Sequence, residues 1–500
     1  LLLETGYFRH FCGARILAQF PLALQPIAKE GMKITFCGAA RQVTGSMHLL
    51  ELESGYRVLV DCGLDYEQQR EFHRGAKVNF PFMPSSIDLV ILTHAHVDHS
   101  GNLPTLVRQG FEGKILCTPP TAELTSFLLL DSLKIMEIEM RKKEANRKKG
   151  KKGANQGSIY GFRDLNEALD RLVTLHFHQD FVVNENLSIR FQEAGHILGA
   201  ASAKLTIMEK GKKRVVGFSG DLGNYSSKLM KDPSPFDGID YLITESTYGG
   251  RTHAATRTPE EELMYYIDET CVKQPGRLVI PAFSVGRTQA IIFALNELFV
   301  QGRLPDIKFF VDSPLAIRTT DTYSKYSEYM NEESQAFMRK YGALFDFEYL
   351  HYIEDKRGSE RLADHYEPCV IISAAGMVEG GRIQEHVRNN IRNTFCTILI
   401  AGFCADGTLG QRLLSGQDHI YINGKEFPVF AKVAKTDAFS AHPDHQGLKT
   451  FIEGSGGKNL KGIFLVHGEE SSMLSLESDL QLHGYDNVFV PEKVEQFEIL

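Results

Sequence analysis

Thr93-His94-Ala95-His96-Val97-Asp98-His99-Ser100-Gly101 places three imidazoles and a carboxylate within six positions, directly after the apolar run Leu89–Leu92. Crowding polar groups at the end of a buried strand costs free energy unless something binds them. A catalytic metal takes three or four protein ligands and keeps a position open for water. The loop offers two pairs, His94 with His96 and Asp98 with His99, and so points to two adjacent ions. A solvated histidine-rich tract is the bland alternative, but such tracts rarely follow a buried strand so closely.

The remaining ligands must come from other strand ends. Candidates lie in Glu193-Ala194-Gly195-His196, in Gly217-Phe218-Ser219-Gly220-Asp221 and in Phe439-Ser440-Ala441-His442, each beside an apolar run and flanked by small residues. Taken singly, His196 or His442 also reads as a hydrogen-bonded core histidine.

The elements that position these residues alternate short β-rich runs with helical ones, the mark of α/β layering. Strands are expected at Met32–Phe36, Arg57–Val60, Leu89–Leu92, Lys114–Cys117, Leu187–Phe191, Arg214–Phe218 and Tyr241–Ile243. Several end on a polar residue, among them Asp61, Thr93, Ser219 and Thr244. A second α/β block follows Tyr248-Gly249-Gly250. Its strands Arg277–Pro281, Ile307–Val311 and Cys369–Ser373 run into small-residue loops, Ser284-Val285-Gly286-Arg287, Asp312-Ser313-Pro314 and Ala374-Ala375-Gly376-Met377. Backbone N–H groups in such loops suit phosphate, although tight turns also call for Gly and Ser. After Gly381 the pattern is expected to return to that of the first block, with strands at Thr397–Ala401 and Gly462–Val466.

At 500 residues, two domains are the natural expectation. The net charge of −8 argues against a protein that coats nucleic acid through bulk charge, yet leaves room for a local basic track. One such track is the end of the helical stretch Leu124–Lys152, with Arg141, Lys142, Lys143, Arg147, Lys148, Lys149, Lys151 and Lys152. It reads either as a solvated helix end or as a phosphate-attracting arm. The eight cysteines are scattered without a CxxC pair and read as reduced packing residues, which implies a cytoplasmic location. No apolar run approaches the ~20 residues that span a bilayer. Residues 1–31 match neither a signal peptide nor an amphipathic anchor. They are expected to be upstream, non-native or disordered sequence, with Met32 the natural start.

The order Asp61, HxHxDH, His196, Asp221 resembles the metallo-β-lactamase superfamily, from Met32 nearly to the C-terminus. Thr244-Glu245-Ser246-Thr247-Tyr248-Gly249 is similar to motif A of its β-CASP branch of RNA-processing nucleases. In the same comparison His386, in Gly380-Gly381-Arg382-Ile383-Gln384-Glu385-His386, resembles motif B, His442 motif C, and Val466-His467-Gly468-Glu469 a terminal signature. The resemblance implies a metallo-β-lactamase αββα sandwich over 32–250 and 385–500, with an inserted α/β β-CASP domain at 251–384. It also implies two Zn2+, one held by His94, His96, His196 and Asp221, the other by Asp98, His99, Asp221 and His442. Asp61 would orient a ligand imidazole. His386 would protonate the leaving oxygen with Glu245 holding its imidazolium, unless that pair only joins two domains. Ser284, Arg287, Ser373, Gly376, Gly381 and Arg382 would grip backbone phosphates. The loop Val43-Thr44-Gly45-Ser46 resembles a family segment near the metals.

The expected activity is a zinc-dependent, endonucleolytic ribonuclease similar to bacterial relatives of the mRNA 3′-end cleavage subunit. The alternatives are a 5′-exoribonuclease resembling ribonuclease J, a DNA-directed β-CASP nuclease, and a non-catalytic RNA-binding subunit. The DNA-directed enzymes usually lack the motif C histidine, and non-catalytic relatives lose ligands that this chain keeps. RNA is the expected partner, a membrane is not, and a homodimer is left open.

Overall fold

The computed structural model describes residues 31–65, 79–148, 160–225, 227–253, 257–405 and 407–500. The proposed upstream segment lies almost wholly outside the described residues, as do the side chains of the basic run from Lys142 to Lys152. The helix leading into that run spans Pro119–Lys148 and bears exposed Arg141 beside Glu137.

Two seven-stranded sheets face each other. One orders its strands as Gln496–Ile499, Met32–Gly38, Met47–Glu51, Arg57–Val60, Leu89–Ile91, Lys114–Cys117 and Leu172–Thr174. The other runs Val488–Phe489, Gly462–Val466, Tyr241–Glu245, Lys212–Phe218, Ala201–Glu209, Leu187–Glu193 and Asp180–Asn184. Ile34, Phe36, Val58 and Leu89 from the first meet Phe191, Leu205, Phe218 and Phe464 from the second in the core between them. Leu103 and Leu106 cover the outer face of the first sheet. Leu448, Phe451, Leu476 and Leu480 cover that of the second. The result is an αββα sandwich. Central strands such as Tyr241–Glu245 are buried along their whole length because both faces are covered, so they read as unbroken apolar runs.

The third sheet orders Leu350–Tyr352, Lys308–Val311, Cys369–Ser373, Arg277–Pro281, Thr397–Ala401 and Lys432–Thr436, every pairing parallel. Ile291, Ile292 and Leu295 of helix Arg287–Val300 pack on one face, and Ile383 and Val387 of helix Ile383–Asn390 on the other. This corrects the expectation for Thr397–Ala401. The strand pairs with Arg277–Pro281 in the third sheet instead of returning to the sandwich, so the boundary expected at 384 falls inside the second block. An apolar parallel strand carries the same pattern in either sheet, so the sequence did not separate the two.

The blocks share one core. Ala95, Leu124, Ile197 and Leu229 of the sandwich pack with Ile280, Ile292 and Phe309 of the inserted block. Tyr323 Oη accepts from the Leu198 N–H at 3.0 Å, and Asn331 Nδ2 donates to Ser227 O at 2.8 Å. Seven cysteines are buried and free, as expected of packing residues, and Cys12 lies outside the described residues. Among the described residues no helix is long and apolar enough to cross a membrane.

Candidate metal centre

The HxHxDH loop is fixed from beneath before any of its rings is placed. Cys62 N–H donates to His99 O, Leu64 N–H to Val97 O and Ser46 N–H to Asp98 O, all at 2.8–2.9 Å. Ser46, Cys62 and Leu64 thus brace the histidine loop through their backbones. Gly63 permits this approach, since a Cβ there would lie 1.6 Å from Asp98 O. Asp61 follows its strand with φ of +61°, a left-handed turn that aims its carboxylate under the cluster. It accepts from Thr93 N–H and Thr93 Oγ1, each at 2.8 Å, and from His99 Nδ1 at 2.7 Å. That last bond sets the tautomer and turns His99 Nε2 toward Asp221, 3.1 Å away.

Two groups of donor atoms result, each within 4.8 Å of one another: His94, His96, His196 and Asp221, and Asp98, His99 and His467. In the first, His96 Nδ1 stands 3.1 Å from His94 Nε2 and 3.2 Å from His196 Nε2. Ligands of a tetrahedral ion bound at about 2.0–2.1 Å stand about 3.3 Å apart, so the spacing fits. His196 donates its Nδ1–H to Ala441 O at 3.3 Å, which leaves Nε2 a lone pair aimed at the group. Burial holds the His94 and His196 imidazoles well below the usual histidine range and lowers His96 to about 4. Neutral imidazole is the form that ligates.

Asp221 stands between the groups. Its Oδ2 faces His94 Nε2 at 3.6 Å and His196 Nε2 at 3.7 Å, while Oδ1 faces His99 Nε2 at 3.1 Å and His467 Nδ1 at 3.5 Å. Burial would raise its pKa, but His467, His99 and His94 outweigh that and hold it well below the carboxylate range. His467 Nε2 is buried without a hydrogen-bond partner, 3.5 Å from Asp98 Oδ2, as suits a metal ligand. These residues form a His/Asp metal-binding cluster.

Two expected placements are not found. His442, expected as a ligand of the second ion, instead turns Nδ1 to Glu245, at 2.9 Å from Oε1 and 3.1 Å from Oε2. His467 stands in the second group in its place. Strand Gly462–Val466 pairs in parallel with Tyr241–Glu245, Val466 opposite Glu245, so His467 emerges at the metal edge. Its φ of +51° is a left-handed turn like that of Asp61. His467 follows an apolar strand much as Asp221 does, a signal too widely shared among strand ends to single it out.

His386, expected to pair with Glu245, lies in the third sheet's helix with Nε2 2.6 Å from Asp312 Oδ2. Arg382 also binds Asp312, at 2.6 Å, and the carbonyls of Ile353 and Glu354 at 3.0 and 2.7 Å. Ser373 Oγ donates to Asp312 O at 2.7 Å. His386 and Arg382 are therefore engaged within the fold, because Asp312 is a fully buried carboxylate that needs donors, Ser359 Oγ being a third, while Ser373 is engaged by the Asp312 backbone carbonyl. Gly376 and Gly381 sit on the loop after the same strand, and a Cβ at Gly381 would meet Ala374 O at 2.4 Å.

Glu245 is buried and also accepts from the Leu222 N–H at 2.6 Å. Burial pulls the His442 pKa down, but Glu245 overrides it and holds the imidazole above its ordinary value. The His442 ring lies 4.5 Å from that of His196, centroid to centroid. Beside them, between the blocks, opens a cavity of ≈ 320 Å³ walled in part by His196, His253, Arg287, Tyr323 and Phe439. Ser284 precedes the helix that carries Arg287. Arg287 is buried, lies over the Phe283 ring and leaves its Nε without a partner.

Three family models match the chain: the metallo-beta-lactamase superfamily over residues 40–163, the Beta-Casp domain over 288–413, and a Zn-dependent metallo-hydrolase RNA specificity domain over 426–491. Ribonuclease TTHA0252 of Thermus thermophilus is 33% identical over 91% of this chain and 97% of its own length. An RNase J-like protein of Methanocaldococcus jannaschii is 31% identical, over 88% of this chain and 94% of its own. Cleavage and polyadenylation specificity factor 73 of Drosophila melanogaster is 30% identical, over 90% of this chain and 62% of its own. With the αββα sandwich, the inserted parallel sheet and the metal-binding cluster, these matches place the chain in the metallo-β-lactamase superfamily, in its β-CASP branch of RNA-processing nucleases, as a metal-dependent hydrolase.

Proposed function

We propose that the chain is a two-zinc ribonuclease that hydrolyses RNA phosphodiester bonds endonucleolytically. The observation that carries the reading is the Glu245–His442 pair standing directly beside the metal-binding cluster. One Zn2+ would be held by His94, His96, His196 and Asp221, the other by Asp98, His99, His467 and Asp221. Bound there, the two ions would lower the pKa of a water and offset charge on the phosphoryl group.

The chain's own groups supply the rest. A leaving sugar oxygen needs a proton, and His442 is protonated more readily than an ordinary histidine because Glu245 stabilises its imidazolium. Asp61 holds the tautomer of His99. The cavity between the blocks would receive the strand, with Gly286 and Arg287 near its backbone. As domain limits we propose the sandwich over 32–250 and from about residue 437 onward, with the inserted block between.

The similarity to an RNase J-like protein supports a second reading, 5′-exonuclease action. RNA labelled at either end and bearing 5′-hydroxyl, monophosphate or triphosphate separates the two, with matched DNA as control. Internal fragments that arise irrespective of the 5′ group are expected. Mononucleotides released only from monophosphorylated ends would establish the second reading, and cleavage of DNA alone would refute both.

A further inference from the structure

His442 rides on a segment, Phe439–Pro443, that belongs to no helix or strand. Glu245 grips its ring at Nδ1, but a ring held only there still pivots with its backbone. The backbone is anchored by His253, whose Nε2 donates to His442 O at 3.0 Å. Ser440 Oγ reaches the same carbonyl at 3.2 Å. The His253 N–H donates to Asp444 Oδ2 at 3.2 Å, and Asp444 Oδ1 caps helix His445–Gly454 through the Gly447 N–H at 3.0 Å. The His445 N–H returns to Arg251 O at 2.9 Å. Segment 251–253 and segment 442–445 are thus laced together. Tyr248, buried, sets its ring edge-on to His253 at 4.9 Å and lies 6.2 Å from the His442 ring.

We propose that His253 is a positioning residue for RNA cleavage. Its Nε2–H fixes the His442 carbonyl and thereby aims the imidazole that protonates the leaving oxygen. His253 also walls the cavity beside His196, on the segment that leads out of the sandwich. The inference rests on the reading of His442 as proton donor. It assigns His253 no contact with a reacting atom.

The test compares His253→Ala, His253→Gln, His442→Ala and the double variant on RNA and on bis(4-nitrophenyl) phosphate, with zinc content measured for each. Nitrophenolate leaves without a proton, so its turnover reports the centre without the proton donor. One neutral hydrogen bond corresponds to roughly a five- to tenfold effect. His253→Ala is expected to lower kcat on RNA by about that factor with KM little changed. Its zinc content should be unaltered and its nitrophenyl ester turnover should fall far less. His253→Gln, which keeps a donor, should recover much of the loss. The double variant should be no slower on RNA than His442→Ala alone.

A wild-type kcat for His253→Ala, or losses in RNA turnover, ester turnover and zinc that run in parallel, would overturn the proposal. If His442→Ala itself cut RNA at the wild-type rate, the reading beneath it would fall instead.

Discussion

At the scale of single residues, the histidines divide by what their nitrogens face. His467 Nε2 is buried with no hydrogen-bond partner, 3.5 Å from Asp98, whereas His442 is satisfied by Glu245. The two substitutions should therefore separate. His467→Ala is expected to lower the metal content by about one ion per chain. His442→Ala should keep its metal and lose about 10²- to 10⁴-fold in RNA turnover, the usual range for general acid catalysis. Elemental analysis beside single-turnover cleavage makes the comparison, and metal loss in His442→Ala would return that residue to the ligand set. The first ligand group was legible in the sequence because His94 and His96 share one loop, and His196 and Asp221 each follow an apolar strand, Leu187–Glu193 and Lys212–Phe218, the two that flank Ala201–Glu209 in the sheet. The exchange among His386, His442 and His467 was not legible. All three lie near glycines or other small residues, and only strand neighbours decide which reaches the metals. His467 does so because Val466 pairs with Glu245. His386 cannot, because Asp312 of the third sheet holds it.

Elements were readable wherever burial on both faces left continuous apolar runs, as at Leu89–Ile91, Arg277–Pro281 and Gly462–Val466. Sheet membership was not readable, since the side chains of Thr397–Ala401 suit any covered parallel strand. The hairpin His419–Ile422 with Lys425–Pro428 is short, and its alternation, with Ile420 and Ile422 buried, covers too few residues to be read. Packing between helices also creates a titration that the sequence does not announce. Glu260, on helix Pro259–Ile267, lies beside Glu297 on helix Arg287–Val300, with Lys228 of the sandwich nearby. Burial, with Glu260 adding to it, pushes Glu297 up to about 7. A carboxyl whose folded pKa is raised contributes stability fully below its unfolded value, near 4.3, and loses that contribution as pH climbs through the folded value. Stability should thus fall between about pH 4.5 and 7. Glu297→Gln, which keeps a donor for Glu260, should remove that slope. At pH 8 the variant is expected to be about 1 kcal/mol more stable than the parent, with little difference at pH 4.5, in denaturant titrations at both pH values. Parallel curves would show that the pair does not share a proton.

Over the whole molecule, the metal-binding cluster gathers residues from nearly the full length of the chain. Asp61 braces it, His94 to His99 form its loop, His196 and Asp221 arrive from the second sheet, and His467 arrives from the C-terminal part. A ligand that binds only this gathered state stabilises it by about 4 kcal/mol when free metal exceeds its Kd a thousandfold. The His94, His96 and His196 nitrogens converge to 3.1–3.2 Å, a spacing that a shared cation would offset. Metal removal should therefore lower the melting temperature, not only stop cleavage. The loss should also extend beyond the sandwich. Ile197 and Leu229 share a core with Ile292 and Phe309, and Leu198 is tied to Tyr323 across the blocks. Scanning calorimetry of zinc-loaded and chelator-treated protein is expected to show a single transition in both, shifted down after chelation and restored by added zinc. Two transitions, only the first moving with zinc, would mean that the inserted block folds independently of the centre it covers. An unmoved single transition would mean that the cluster does not hold its ions at equilibrium.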